Sequence, residues 1–246
     1  MISKAETKDK ILEYYEQVLK KLQQKFTNNK EADEFIKQEP LAFLFAVILN
    51  QGAMAERIWE IPYNLKGILG HLDVHKIAGM TEAEIQGVFE KLPSKPRYWI
   101  TASKRVRNAS IQVVNRYQGK AENVWNDNPK AGDLQARLDN FEGVGQKKAS
   151  MAARILGMDL NVPIRNWNEM DVSVDEMIQR VFPRAGLSNT SNPSEIIEQA
   201  RQLNPSFPGA LDYPCWDIGR RWCFPQHPNC HDCYISDVCP KIGIIK

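Results

Sequence analysis

Cysteine is scarce in this chain: there are five in 246 residues, an odd number that a closed disulfide framework would not use up. Long apolar runs are also missing. The longest, residues 41–49, has nine residues, too few to cross a bilayer. The opening stretch MISKAETKDKILEYYEQ has no apolar core of the kind a signal peptide carries. The expected setting is therefore cytoplasmic, away from membranes, where thiols stay reduced. Excess charge of one sign is missing too, since 32 basic and 30 acidic side chains leave a net charge of +2. No stretch alternates convincingly at period two, so no sheet is expected, and there is no internal repeat or low-complexity segment. What remains is an ordinary soluble composition, in a chain long enough for one large core or two modest ones.

The few cysteines are unevenly placed. Four of them lie in CFPQHPNCHDCYISDVC, residues 223–239, at gaps of six, two and five. In a reducing compartment four clustered thiols point to a metal or a cluster. Tetrahedral zinc and iron–sulfur clusters both take four thiolates. Zinc sites more often separate two CxxC knuckles by a longer spacer, and here only Cys230 and Cys233 form one. Cys215, in YPCWDIGRRWC, reads as a buried apolar residue on a helix.

Helical signals recur along the chain. Ser3 and Glu6 form a capping-box pattern ahead of Ile11, Tyr14, Tyr15, Val18 and Leu22 at helical spacing. Residues 41–49 are apolar on every side and read as a buried central helix. Thr81 and Glu84 open another helix, with Pro93 beyond its end. Residues 104–117, 149–156, 174–181 and 193–203 give further helices. The expected class is all-α.

Two features suggest contact with an anion. Residues 91–107 carry Lys91, Lys95, Arg97, Lys104, Arg105 and Arg107 without a single acid. Such a run is either a solvated helix face or a phosphate-contacting patch. In FEGVGQKKA, residues 141–149, two glycines two apart precede a helix start. That is either a tight turn between packed helices or a socket where a helix N-terminus meets a phosphate.

The order of these motifs is more specific than any one of them. A GVGxK hairpin, then VDxxIxRV at residues 174–181, then cysteines at gaps of six, two and five: this resembles the endonuclease III family of helix-hairpin-helix DNA glycosylases. The resemblance spans roughly residues 41–241. It implies two helical lobes with a DNA cleft between them. One is a six-helix barrel with the hairpin, residues 38–157. The other is an iron–sulfur lobe made of residues 1–37 and 158–246.

The resemblance also implies roles. Cys223, Cys230, Cys233 and Cys239 are the expected ligands of a 4Fe–4S cluster. Lys147 matches the lysine that attacks the sugar anomeric carbon and forms a Schiff base, and Asp175 matches the essential aspartate. Gln51 stands where the family carries an intercalating glutamine. Gly143, Val144, Gly145 and Lys148 are expected at the DNA backbone, with a monovalent cation at the hairpin, and Lys104, Arg105 and Arg107 are expected on phosphates. The implied partner is double-stranded DNA bearing a damaged base, bound by a monomer that is nucleoid-associated if the source is prokaryotic. Glu142 replaces the family's usual proline, and Asp171 offers a second candidate aspartate. Arg165, Asn166 and Trp167 are candidates to line a base pocket. The same motifs also suit a glycosylase that uses water and Asp175 alone, or a non-catalytic iron–sulfur module that binds DNA or senses redox state.

Overall fold

The computed structural model describes residues 3–22, 25–52 and 54–244. In chain order the helices are α1 (Lys4–Gln17), α2 (Lys30–Gln38), α3 (Pro40–Leu49), α4 (Ala55–Trp59), α5 (Ile61–Leu69), α6 (Val74–Gly79) and α7 (Glu82–Glu90). They continue with α8 (Trp99–Arg116), α9 (Ala131–Asp139), α10 (Gln146–Met158), α11 (Glu176–Arg184), α12 (Pro193–Leu203) and α13 (Asp212–Arg221). The fold is all-α. Among the described residues the only β feature is an isolated parallel bridge between Lys130 and Arg165.

The chain forms two compact units. One comprises Gln24–Pro129 and Asp133–Pro163; the other comprises Met1–Gln23, Lys130–Gly132 and Ile164–Lys246. Residues 24–37, expected in the cluster lobe, belong to the first of these units. The reason is visible in the packing: Phe26 stacks on Trp59 at 4.8 Å, and α2 lies against α3 and α5.

The first unit is built around α3. Every residue from 41 to 49 is buried, as a run that is apolar on all sides requires. Phe43 meets Trp59 and Trp125 edge-on, at 5.9 and 5.8 Å. Each fully buried Leu, Ile or Phe of this kind contributes about 1.5–3 kcal/mol. The longest helix, α8, packs on α6 and α7 and buries Ala102, Val106, Ala109 and Val113 at helical spacing. It starts five residues before the segment that periodicity marked, at Trp99.

In the second unit α1 carries the expected capping box. It stops at Gln17, a short 3-10 turn follows at Leu19–Lys21, and Leu22 is exposed. Ile11 and Tyr14 join Ile178, Val181, Phe182, Ile196, Leu211, Cys215 and Ile218 in one core. Cys215 is fully buried, and burial pushes its thiol well above the usual range. The Tyr14 hydroxyl donates to Asp217 at 2.6 Å, and Arg221 pairs with the same carboxylate. Helices α11 and α13 cross closely at Gly219, where a Cβ would lie 2.7 Å from the Cβ of Met177.

Candidate functional site

Between α9 and α10 the chain makes a hairpin that its own side chains anchor. Phe141 is buried and stacks on Tyr117 at 6.0 Å. Val144, expected at the DNA surface, is turned inward instead and is 8% exposed, while its N–H donates to the Phe141 carbonyl at 3.0 Å. Gly143 has φ +85°, and a Cβ there would lie 2.6 Å from Cδ of Arg105. Glycine is required on both counts. Gly145 is the N-cap of α10 in extended conformation, and a Cβ on it would meet nothing within 4 Å. The first-turn N–H groups of α10 have no acceptor within their helix.

The two lysines after the hairpin have opposite placements. Lys147 is exposed on the first turn of α10. Lys148 is 9% exposed, and its Nζ donates to the carbonyls of Ile48 and Gly143, both at 2.7 Å. Burial, the Arg105 guanidinium and Lys147 push the Lys148 ammonium down to about 8. Lys148, expected at the DNA backbone, therefore faces the interior instead.

The basic run divides in the same way. Lys104 pairs with Glu82 at 2.8 Å, and Arg107 Nε donates to the carbonyl of Met80, the C-cap of α6. Arg105 alone of these three is directed to the hairpin. Its Nη1 donates to Oε1 of Gln51 at 3.2 Å, and its Nε lies 3.8 Å from Glu142. Gln51 itself is exposed, just past the end of α3. Glu142, the departure from the family's proline, also accepts a 2.8 Å bond from Asn108. Its carboxylate is thus held by Asn108 and lies beside Arg105.

In the other unit, Asp175 is the N-cap of α11. Its Oδ1 accepts from the N–H groups of Met177 and Ile178 at 2.8 and 3.1 Å. Asp171 is held by both arms of Arg201, at 2.8 and 2.9 Å. Asn166 sits in the left-handed region at φ 55° and donates to Glu169 at 2.9 Å. Trp167 packs edge-on against Phe207 at 4.7 Å, and the Arg165 carbonyl accepts from Ala131 N–H at 2.8 Å.

Cys223, Cys230, Cys233 and Cys239 line one pocket beneath α11 and α13, with Val181, Ile218, Trp222 and Ile235 among its walls. Burial raises the Cys233 thiol to about 11 and moves Cys239 in the same direction. A single tetrahedral zinc would draw four sulfurs to within about 3.8 Å of each other. Among the described residues, no three His, Cys, Asp or Glu side chains are grouped closely enough to hold one metal ion. The donor set is four thiols around a shared cavity, with Arg184 Nη1 3.6 Å from the Cys223 sulfur.

Comparison with known proteins bears on the fold. The endonuclease III of Thermotoga maritima is 23% identical over 214 residues, covering 86% of this chain and 85% of that protein. The endonuclease III of Synechocystis is 22% identical over 213 residues, covering 83% and 82%. A solved structure of a trapped endonuclease III–DNA covalent intermediate superposes with a TM-score of 0.69 at 16% identity, covering 98% of this chain and 97% of that one. The chain resembles endonuclease III in sequence and shares its fold. A thermostable thymine-DNA glycosylase has the same architecture, with a TM-score of 0.63 at 16% identity over 97% of this chain and 96% of its own. No protein-family model matches the chain.

Within the endonuclease III fold, some of the structural support was not readable beforehand. Arg180 Nε donates to the Cys223 carbonyl at 2.6 Å, and Arg184 reaches the carbonyls of Phe224 and Pro225 at 2.7 and 3.0 Å. These two arginines, four apart on α11, hold the start of the cysteine loop. The available signal was their spacing on one helix face beside a loop with no basic residue between Cys223 and Cys230 except His227. The carbonyl partners of Lys148 and the Asn108–Glu142 bond left no such trace.

Proposed function

We propose that this protein is a base-excision-repair DNA glycosylase that removes a damaged or mismatched base and cleaves the resulting abasic site through a lysine Schiff base. The observation that supports this most is the hairpin. Gly145 presents open backbone at the start of α10, Lys147 stands exposed two residues on, and Arg105 ties the hairpin to Gln51. A duplex must extrude the target nucleotide before any side chain can reach its anomeric carbon. In this reading Gln51 fills the gap left in the stack, and the hairpin amides hold a phosphate.

The chemistry assigned to the chain needs two residues. Neutral Lys147 attacks C1′, the bond from C1′ to the base breaks, and the base leaves with its electron pair and takes up a proton. Loss of the amine proton and opening of the sugar ring give the Schiff base. Removal of a proton from C2′ then expels the 3′ phosphate. An amine acts as a nucleophile only when neutral. Asp175 stabilises positive character on the sugar as the base departs and passes protons.

The four cysteines are proposed to hold a 4Fe–4S cluster, for which four thiolates lining one cavity are the usual donor count. When bound, the cluster supplies a cross-link for the C-terminal loop, and no step of the base chemistry passes through it. The single partner proposed is double-stranded DNA.

The deciding experiment presents purified protein with a set of single-lesion duplexes and adds borohydride. Excision with a reduced covalent crosslink supports the proposal, and no excision of any lesion overturns it. The place of Asp175 at the start of α11 favours a second reading. There water displaces the base with Asp175 alone, and excision proceeds without a crosslink.

A further inference from the structure

We propose that the segment leading into α8, residues 95–100, with Met54 beside it, is a stacking platform for single-stranded DNA, in addition to the duplex of the reading above. Large apolar side chains gather here outside any core. Met54, Tyr98 and Ile100 are 58%, 58% and 48% exposed. Arg97 lies over the Tyr98 ring at 5.4 Å, and Lys95 lies over the Trp99 ring at 5.5 Å. Leu92 and Pro96 are buried and pin the loop, so its outward side chains are held ready rather than trailing in solvent. A Cβ on Gly52 would lie 3.1 Å from the Cβ of Arg97. The turn that carries Gln51 and Met54 therefore borders the same patch.

Charge and shape together name the occupant. No acid occurs from Lys91 to Arg107, so the patch attracts an anion. Lys104, Arg105 and Arg107 are engaged by Glu82, Gln51 and the Met80 carbonyl, whereas Lys95 and Arg97 stand exposed over rings. A phosphate ion would answer the cations but leave the apolar side chains in water. An acidic peptide meets the cations too, but it carries no succession of flat faces. A nucleic-acid strand supplies both, phosphates for the cations and base faces for the rings. In an intact duplex each base face is covered by its neighbours, so the strand that stacks on Tyr98 is an unpaired one. Where the loop begins, Lys91 and Pro93 line a groove of about 560 Å³ together with Tyr63 and Lys66. A strand leaving the platform along the loop meets these further cations.

The test measures fluorescence anisotropy of a labelled oligothymidylate with the full protein, prepared without oxygen. The strand has about twelve nucleotides, within the span of single-strand sites. The unaltered protein is expected to bind it, and Tyr98→Ala should lose about tenfold or more in affinity, the scale of one stacked base. Tyr98→Phe keeps the ring and should stay within about twofold. Replacing Lys95 and Arg97 by glutamine should lower the slope of log affinity against log salt by about 0.7 for each cation removed. An undamaged duplex of the same length should bind Tyr98→Ala and the unaltered protein alike.

Absence of binding at low salt overturns the proposal, as does equal binding of the strand by Tyr98→Ala. Equal losses on strand and duplex also overturn it, because Tyr98 then acts through the fold. So does polyglutamate binding as tight as that of the oligothymidylate, which would make the patch an acidic-peptide site. A dimer that Tyr98→Ala dissolves, with no binding of the strand, would assign the patch to a second copy of the chain. If Tyr98→Ala does not fold, photocrosslinking of the unaltered protein to a strand bearing 5-iodouracil decides. Crosslinks in the tryptic peptide of residues 98–104 support the platform, and crosslinks only elsewhere overturn it. The strand carries no lesion, so each of these outcomes stands whether or not the protein excises a base.

Discussion

Arg105 donates from Nη1 to Oε1 of Gln51 at 3.2 Å, and its side chain occupies the space a Cβ on Gly143 would take. One arginine thus supports both elements to which the proposed function assigns DNA contact. Arg105→Gln removes the guanidinium from beneath the hairpin and from Gln51 while leaving Lys104 and Arg107 in their own pairings. The expected outcome is excision lowered by roughly tenfold or more, with a smaller change in the salt dependence of binding. A phosphate contact alone would instead reduce the salt slope by about one while weakening binding uniformly. Comparing log affinity against log salt for the two proteins separates these roles.

Gly145 and Gly143 give a contrasting pair. Gly143→Ala meets a positive φ and the Arg105 side chain, so the folded hairpin itself must give way. Gly145→Ala meets open space from an extended backbone, so thermal stability should stay within about 0.5 kcal/mol of the starting protein. If the hairpin backbone approaches a phosphate, the added methyl lies in the way and affinity for duplex DNA should fall severalfold. Unchanged affinity in a stable Gly145→Ala protein would remove the hairpin from the DNA-binding surface.

How far the sequence could be read depended on whether a residue's partner was local. The capping boxes at Ser3 and Thr81, the buried run of α3 and the start of α12 at Pro193 all depend on neighbours a few residues away, and all were legible. The short helices α4, α5 and α6 were not, because five to nine residues give periodicity little room to show. In the candidate site, the cysteine spacing and the hairpin glycines were readable as patterns. The inward turn of Lys148 was not, because its acceptor at Ile48 is 100 positions away. The same holds for the pairing of Asp171 with Arg201, which only tertiary structure brings together.

The cysteine pocket predicts a stability effect confined to one unit. Cys223, Cys233 and Cys239 pack against the core that α1, α11, α12 and α13 share. Protein purified without oxygen should contain four irons per chain if all four thiolates ligate one cluster. Cys239→Ser should lower that content and lower the midpoint of thermal unfolding, because metal binding energy becomes folding energy. One zinc and no iron in protein prepared this way would reject the cluster.

Lys148 predicts a pH dependence with a definite sign. Its folded-state value of about 8 lies below the ordinary 10.5. Below about pH 8 the amine is charged in both states, and it contributes no slope. Between about 8 and 10.5 the unfolded chain holds the proton and the folded chain has lost it, so stability rises with pH on account of this group. Lys148→Met lacks that contribution. The stability of the unaltered protein relative to Lys148→Met should therefore increase from pH 7.5 to pH 10, read from urea midpoints. A difference that stays constant would mean the amine keeps its proton in the fold.

Asp175 allows catalysis to be separated from helix capping. Its Oδ1 accepts two N–H bonds at the start of α11, a role worth about 0.5–2 kcal/mol when lost to alanine. Asparagine caps a helix about as well as aspartate but carries no charge. Asp175→Asn should therefore melt close to the unaltered protein while base excision falls by roughly a hundredfold or more, the scale of removing an acid–base or charge-stabilising group. Asp175→Ala should lose both stability and excision. Cleavage of a pre-formed abasic site, where no base has to leave, should survive Asp175→Asn better than excision does. If Asp175→Asn excises bases at the original rate with unchanged stability, the aspartate is only a cap, and the acid that assists departure of the base must be sought elsewhere in the chain.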